Sequence, residues 1–283
     1  MNQRDRIIFD LKGYIVKPGV LSQGEVEELK EFVLRQKHEP DSLPPHQRSL
    51  PGGAFERFID HPAVMDVLHD VIDSKTERIR LESTFLSYRQ QGEGEWRPHA
   101  GRRTTNPNYA YNFHDGRIYA GMTRVVWELG EVLEGKGGTC FISGSHKANY
   151  NIRNSTETSL DAKDSGIWES YSCPPGSLVV FSEAVRHSAD FWNNPHNPRI
   201  AIFCAYNHIN VRHHKPSFAP EVIEGLTPEH QRFFNEVYHP QFDRWQEQEE
   251  QKQQYINAAN RLGGNKIDRG LKTKIKSIVQ RFR

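Results

Sequence analysis

Three cysteines in 283 residues, Cys140, Cys173 and Cys204, are too few and too widely spaced to build a disulfide framework, and their number is odd. They form no Cys-x-x-Cys pair, which argues against a thiolate zinc site and suits a reducing compartment. No stretch approaches the about 20 apolar residues of a membrane-spanning helix. The polar start, residues 1–6, lacks the apolar run of a secretory leader. The expectation is a cytoplasmic protein with no membrane span. An excess of either charge is also missing: 37 Lys and Arg stand against 36 Asp and Glu, a net charge of +1, so no nucleic-acid partner is expected. Hydrophobic residues make up only 36%, but an aromatic share of 11% lets a chain of this length bury a substantial core.

What is present divides into three parts. Residues 1–78 read as an N-terminal strand and helices packing on a barrel. From Ile7 to about Lys37 the pattern is a short strand (Tyr14, Ile15, Val16), a Pro18-Gly19 turn and a helix. Ser22 and Glu25 stand at capping-box spacing, and Val26, Leu29, Phe32 and Val33 share one helical face. Residues 39–53 form a loop rich in Pro, Gly and Ser. A second helix follows over 63–72, with Val64, Val67, Leu68 and Val71 inward.

Residues 79–212 change to short β-type runs, clearest at 84–88, 123–127, 139–142, 177–181 and 200–204. Many short strands separated by Gly and Pro point to a mainly β fold with flanking helices, a jelly roll. Residues 213–283 read as a helical extension. In it Leu271, Ile275, Ile278, Val279 and Phe282 line one face of a basic amphipathic helix that packs on the body or on a second subunit, or else meets a membrane surface or an acidic partner. The oligomeric state is not legible.

Fourteen histidines invite a metal hypothesis, and context must select among them. His196, His213, His214, His230 and His239 have no partner at useful spacing. His187 has a better setting. It follows the apolar run Leu178 to Phe181, and 12 positions later Arg199 opens the next strand. A guanidinium there can stand beside a metal site and grip a carboxylate with two parallel N–H donors.

At this point the motifs resemble a known family. Phe9-Asp-Leu-Lys-Gly-Tyr-Ile-Val16 followed by Leu21-Ser22 is similar to the opening of the phytanoyl-CoA dioxygenase-like proteins. Trp127-Glu-Leu129 with Gly137-Gly-Thr-Cys-Phe-Ile-Ser-Gly-Ser-His-Lys147 resembles their central signature, with Ser143 where Pro is usual. Pro175-Gly-Ser-Leu-Val-Val-Phe181, His187 and Arg199 resemble the distal one, and the likeness covers roughly residues 7–210.

The resemblance implies a double-stranded β-helix that binds Fe(II) and 2-oxoglutarate and uses O₂ to oxidise a small molecule. His187 would be the distal metal ligand and Arg199 the partner of the far carboxylate of 2-oxoglutarate. His99, 88 residues upstream of His187, would be the first ligand. Trp127 matches a position close to the cosubstrate, or else belongs to the core. His146, in the Gly-Ser-His-Lys turn, is structural.

One departure matters. The family's carboxylate stands two residues after the first His, where this chain has Gly101. Non-haem iron halogenases share that vacancy and fill it with halide. Three readings follow: an oxygenase that hydroxylates an aliphatic C–H, a halogenase with chloride at the open position, and a binding protein without turnover. Two carboxylates are candidates for the gap. Glu183 precedes His187 by four residues, about 13 Å along a straight strand and out of reach unless the chain turns. His114-Asp115 forms a rival first pair, although Asp115-Gly116 is also a hairpin signal. Arg97, Arg102 and Arg103 could recognise an anionic substrate or merely be solvated; Tyr109, Tyr111 and Phe113 could line an apolar pocket or merely fill a strand pair.

Overall fold

The computed structural model describes residues 1–100, 110–149, 160–215 and 217–239, together with 249, 250, 253 and 257. The chain begins in helix α1 (Gln3–Lys12). The Asn2 side chain accepts from the Asp5 N–H (2.8 Å) at its start, and left-handed Gly13 (φ 83) donates to the Phe9 carbonyl (2.7 Å) at its end. The sequence reading has no helix here. The reason is that only Phe9 is buried while Ile7 and Leu11 are exposed, so no apolar stripe announces it.

Strand β1 (Tyr14–Lys17) and helix α2 (Gln23–His38) follow as expected. The Ser22/Glu25 capping box is complete, and Val26, Leu29 and Val33 face inward. Helix α3 (Pro62–Val71) buries Val64, Val67, Leu68 and Val71 and has Pro62 in its first turn, where a missing N–H costs nothing.

Strands β2 (Ile79–Arg89), β3 (Asn112–His114), β4 (Arg117–Tyr119), β5 (Thr123–Glu128), β6 (Gly138–Ile142), β7 (Ser177–Ser182), β8 (Arg186–Asp190) and β9 (Arg199–His208) come next, then short helices α4 (Pro220–Glu224) and α5 (Pro228–Gln231). Five strands form an antiparallel sheet in the order β1-β7-β5-β9-β2. A second layer pairs β6 with β8, and isolated bridges, His99 to His187 and Phe141 to Glu169, widen it on both sides. The expected architecture is present: a double-stranded β-helix with helices on its flank.

The centre of the large sheet is covered on both faces, and β5 and β7 are buried along almost their whole length. On β5, Val125 and Trp127 join the helix-side core, while Val126 joins the core between the sheets. On β7, Leu178 and Val180 face the helices, and Val179 and Phe181 face the second sheet. This alternation has a direct consequence for the site, because period-2 geometry sends Arg124, Val126 and Glu128 away from the helices together.

The Gly-Ser-His-Lys turn secures α1. His146 is buried, donates from Nε2 to the Asp10 carbonyl (3.0 Å) and stacks edge-on against Tyr111 at 4.4 Å. A Cβ at Gly13 would stand 2.6 Å from His146 Nδ1, so glycine there serves close approach as well as its left-handed turn. Lys147 and the Tyr111 hydroxyl both reach the Asp10 carboxylate.

Burial pushes the His146 ring down to about 4, against the pull of the Asp10 carbonyl. The native state therefore binds fewer protons than the unfolded chain between about pH 6.5 and pH 4, and stability falls as pH drops through that window. Urea unfolding at pH 7 and pH 4, with His146→Gln alongside, checks this. Wild type should lose about 3 kcal/mol more than the variant across the interval. Equal losses would mean that the ring does not titrate with folding.

The chain divides into two compact units, Met1–Glu236 and Val237–Arg283. The apolar face at Leu271, Ile275, Ile278, Val279 and Phe282 lies outside the described residues. Among the described residues no helix is long and apolar enough to cross a membrane.

Candidate metal centre

His99 and His187 are brought side by side by a β-bridge. The His99 N–H donates to the His187 carbonyl (3.0 Å) and the His187 N–H to the His99 carbonyl (3.1 Å). Directly opposed residues of an antiparallel pair project to the same face, and the two rings stand 4.0 Å apart between centroids. The chain after His99 is pinned from β8: Arg186 Nη1 donates to the Ala100 carbonyl (2.7 Å), and its fork grips Asp161. Ala100 is left-handed (φ 61), so the extended backbone ends one residue after His99.

Both rings are oriented in the same way. His99 Nδ1 meets the Arg97 carbonyl at 2.9 Å, and His187 Nδ1 meets the Val185 carbonyl at 2.8 Å. A carbonyl only accepts, so each Nδ1 carries a proton, and Nε2 is the atom each ring turns toward the other side chains of the site. This is the arrangement by which proteins fix metal-ligating imidazoles. Burial pushes His187 down to about 4, against the pull of Glu183, so the ring is uncharged at neutral pH.

A carboxylate stands beside them. Between β7 and β8 the chain turns at Ser182–Val185. The Val185 N–H closes onto the Ser182 carbonyl (3.0 Å), and the Glu183 N–H donates to the Met122 carbonyl (2.9 Å). The turn supplies what a straight strand could not: Glu183 Oε2 lies 3.8 Å from His187 Nε2, and ligand atoms of His99, Glu183 and His187 all lie within 4.8 Å of one another. The sequence reading set Glu183 aside on the straight-strand distance, and the turn corrects that. Glu183 Oε1 pairs with Arg124 Nε on β5. Burial works to raise the Glu183 carboxyl, but the attraction of His187 and Arg124 more than offsets it and holds the group below its ordinary value.

These side chains line a cavity of about 200 Å³ together with Arg89 and Arg199, walled by Phe85 and Phe203, which stack at 4.8 Å. Arg199 is 1% exposed and already paired: its Nη2 meets Glu128 Oε1 at 2.5 Å and Thr139 Oγ1 at 3.2 Å. The Tyr171 hydroxyl donates to the same Glu128 oxygen at 2.7 Å. Arg89 sits opposite Arg199 in register and donates to the Asp190 carbonyl (3.3 Å). Three guanidiniums, Arg89, Arg124 and Arg199, thus meet two carboxylates, Glu128 and Glu183, which favours an anion in the cavity.

Other expectations fall elsewhere. Trp127 lies on the helix side of β5, fully buried against Phe58 (5.8 Å) and His61 (5.2 Å), and does not line the cavity. Its neighbours Arg124 and Glu128, of opposite parity, take the cavity side, and the signal for them was charge inside an apolar strand. His114 sits in the β3–β4 hairpin, exposed and paired with Asp115 (3.1 Å), so this pair does not rival His99. Arg97 is exposed. Tyr111 joins the helix-side core and Phe113 is exposed. Gly101, Arg102, Arg103 and Tyr109 lie outside the described residues.

Solved structures share this fold. HygX from Streptomyces hygroscopicus, solved with nickel and 2-oxoglutarate, is 22% identical over 74% of this chain and 87% of its own, with a TM-score of 0.61. HygX has also been solved with nickel, 2-oxoglutarate and hygromycin B, at 22% identity, 74% and 88% coverage and a TM-score of 0.60. EctD from S. alaskensis with bound Fe is 18% identical over 78% of this chain and 83% of its own, with a TM-score of 0.52. No curated protein matches the chain in sequence. The phytanoyl-CoA dioxygenase (PhyH) family model matches residues 9–200, more than half of the chain, and the chain therefore belongs to the phytanoyl-CoA dioxygenase family.

Proposed function

We propose that this protein is a cytoplasmic non-haem Fe(II)/2-oxoglutarate-dependent oxygenase that hydroxylates an aliphatic C–H of a small molecule, with His99 and His187 holding the iron. The observation that carries this reading is the pair of imidazoles: two rings side by side, each fixed by an Nδ1–H bond to the carbonyl two residues upstream. Membership of the family supports it. So does the donor chemistry, since two imidazoles with a carboxylate nearby suit iron of this class.

Bound together, iron and 2-oxoglutarate would supply the O₂-activating chemistry. The chain's own residues do the rest. Arg199, held by Glu128 at the cavity wall, is positioned to take the distal carboxylate of 2-oxoglutarate on donors that Glu128 leaves free, and Arg89 adds a second positive charge. Phe85, Phe181 and Phe203 keep that part of the cavity apolar. An anionic group on the substrate would find Arg97 exposed two residues from His99. The three cysteines are free and buried, in keeping with a reducing cytoplasm. Halide transfer, which Gly101 raises, requires a metal with no carboxylate ligand; the Glu183 carboxylate 3.8 Å from His187 favours hydroxylation.

Anaerobic titration tests the assignment. Fe(II) with 2-oxoglutarate should develop the weak visible charge-transfer band of a chelated complex, lost on exposure to air as 2-oxoglutarate is consumed. No band and no affinity for either component would sink it. A band that persists in air with substrate candidates present, with no succinate formed, would leave a binding protein.

A further inference from the structure

We propose that Glu183 supplies the carboxylate ligand of this metal centre, through Oε2, in place of the residue missing after His99. The inference rests on the reading of His99 and His187 as metal ligands and adds to it the source of the third donor.

Four observations converge. The position two residues after His99 is Gly101, which has no side-chain donor to offer. Glu183 Oε2 lies 3.8 Å from His187 Nε2, and the three side chains place donor atoms within 4.8 Å of one another, the spacing of groups that can share one ion. The carboxylate is divided in function: Oε1 is taken by Arg124, and Oε2 is the oxygen nearer the imidazole pair. Finally, the turn that carries it is fixed from outside, by the Glu183 N–H on the Met122 carbonyl and the Ala184 N–H on Ser182 Oγ (3.1 Å).

Arg124 acts as a positioning residue. Its Nη1 also reaches Ser83 Oγ (3.3 Å), and its guanidinium lies over the Phe85 ring (5.8 Å), so it cannot swing away without losing three contacts. Charge points the same way. Imidazoles bring no negative charge to a divalent ion, and Glu183 is the carboxylate that stands with that pair. Glutamate also has the length for the task, because the turn lies at the end of β7, one residue beyond the sheet.

The rival account makes Glu183 nothing more than the partner of Arg124. Glu183→Gln separates the two, because glutamine keeps an oxygen for Arg124 and loses the charge. Glu183→Asp is the second variant: it keeps the charge and withdraws the oxygens by one methylene. Co(II) affinity would be read by competition with a coloured chelator, and the coordination sphere by the visible Co(II) spectrum. Neither readout needs turnover, and thermal unfolding of the metal-free proteins controls for folding.

If Glu183 ligates, both variants bind Co(II) at least about 10-fold more weakly than wild type, with an altered spectrum, while added chloride leaves the wild-type spectrum unchanged. Wild-type affinity and spectrum in both variants would overturn the assignment and leave the two-histidine site standing. A chloride-dependent wild-type spectrum would also overturn it, by giving the third position to halide. Failure of wild type itself to bind Co(II) would instead remove the metal-centre reading on which the proposal rests.

Discussion

Replacing His187 with alanine is expected to weaken binding of Fe(II) or Co(II) by more than about 100-fold and to abolish the charge-transfer band with 2-oxoglutarate. Loss of a partner that merely orients a ligand costs roughly 10–100-fold, and His187 is proposed as a ligand itself, so the larger effect is expected. Its ring is uncharged at neutral pH because burial pushes it down to about 4, so no proton has to leave before a metal binds. The fold should survive the change. The ring borders a cavity rather than close-packed core, and its bond to the Val185 carbonyl is local. Metal-ion competition and urea unfolding on the same preparations separate the two effects. A His187→Ala protein that binds metal like wild type would remove the central claim, whatever its stability. His196→Ala, at a loop position away from the cavity, is the control and should bind metal normally.

The second large effect is expected at Glu128, and it concerns stability first. Glu128 and Arg199 are 0% and 1% exposed and hydrogen-bonded to each other, and the guanidinium lies 5.4 Å over the Phe203 ring. Removing one partner of such a pair leaves the other charge buried and uncompensated, which costs about 3–5 kcal/mol. Glu128→Ala also strands the Tyr171 hydroxyl, so the upper end of that range is expected by urea denaturation. Glu128→Gln keeps an acceptor for Tyr171 and for Arg199 and should lose distinctly less. The same pair bears on cosubstrate binding. In Glu128→Ala the Arg199 charge has no carboxylate, and the distal carboxylate of 2-oxoglutarate would replace it. Added 2-oxoglutarate with metal should therefore raise the unfolding temperature of Glu128→Ala more than that of wild type. Equal increments would place the cosubstrate away from Arg199.

The sequence by itself determined a good deal. Short runs rich in β-branched and aromatic residues located β2, β5, β6, β7 and β9, because such side chains fit a pleated surface that packs against a core. The Ser22/Glu25 cap and the spacing of Val26, Leu29 and Val33 located α2. The order of motifs led to the family, and with it to His99 and His187, which the structure sets side by side.

Tertiary structure alone decided three things. Period 2 shows that Arg124, Val126 and Glu128 share a face and that Val125 and Trp127 share the other. Which face meets the helices depends on partners far away in sequence, Phe58 and His61 among them, and so Trp127 fell to the core while the charged residues of the same strand reached the cavity. Asp115-Gly116 read more readily as a turn than as part of a metal motif, and the pairing of β3 with β4 put His114 in a solvent-exposed hairpin.

The third was Glu183. Four residues before His187 means remoteness on a strand and contact across a turn. The choice was made by backbone bonds to the Ser182 and Met122 carbonyls, the second of them 61 residues away. Local pattern fixes which residues can share a face, whereas the meeting of side chains from different segments is set by long-range pairing, and the proposed metal centre is built from such meetings.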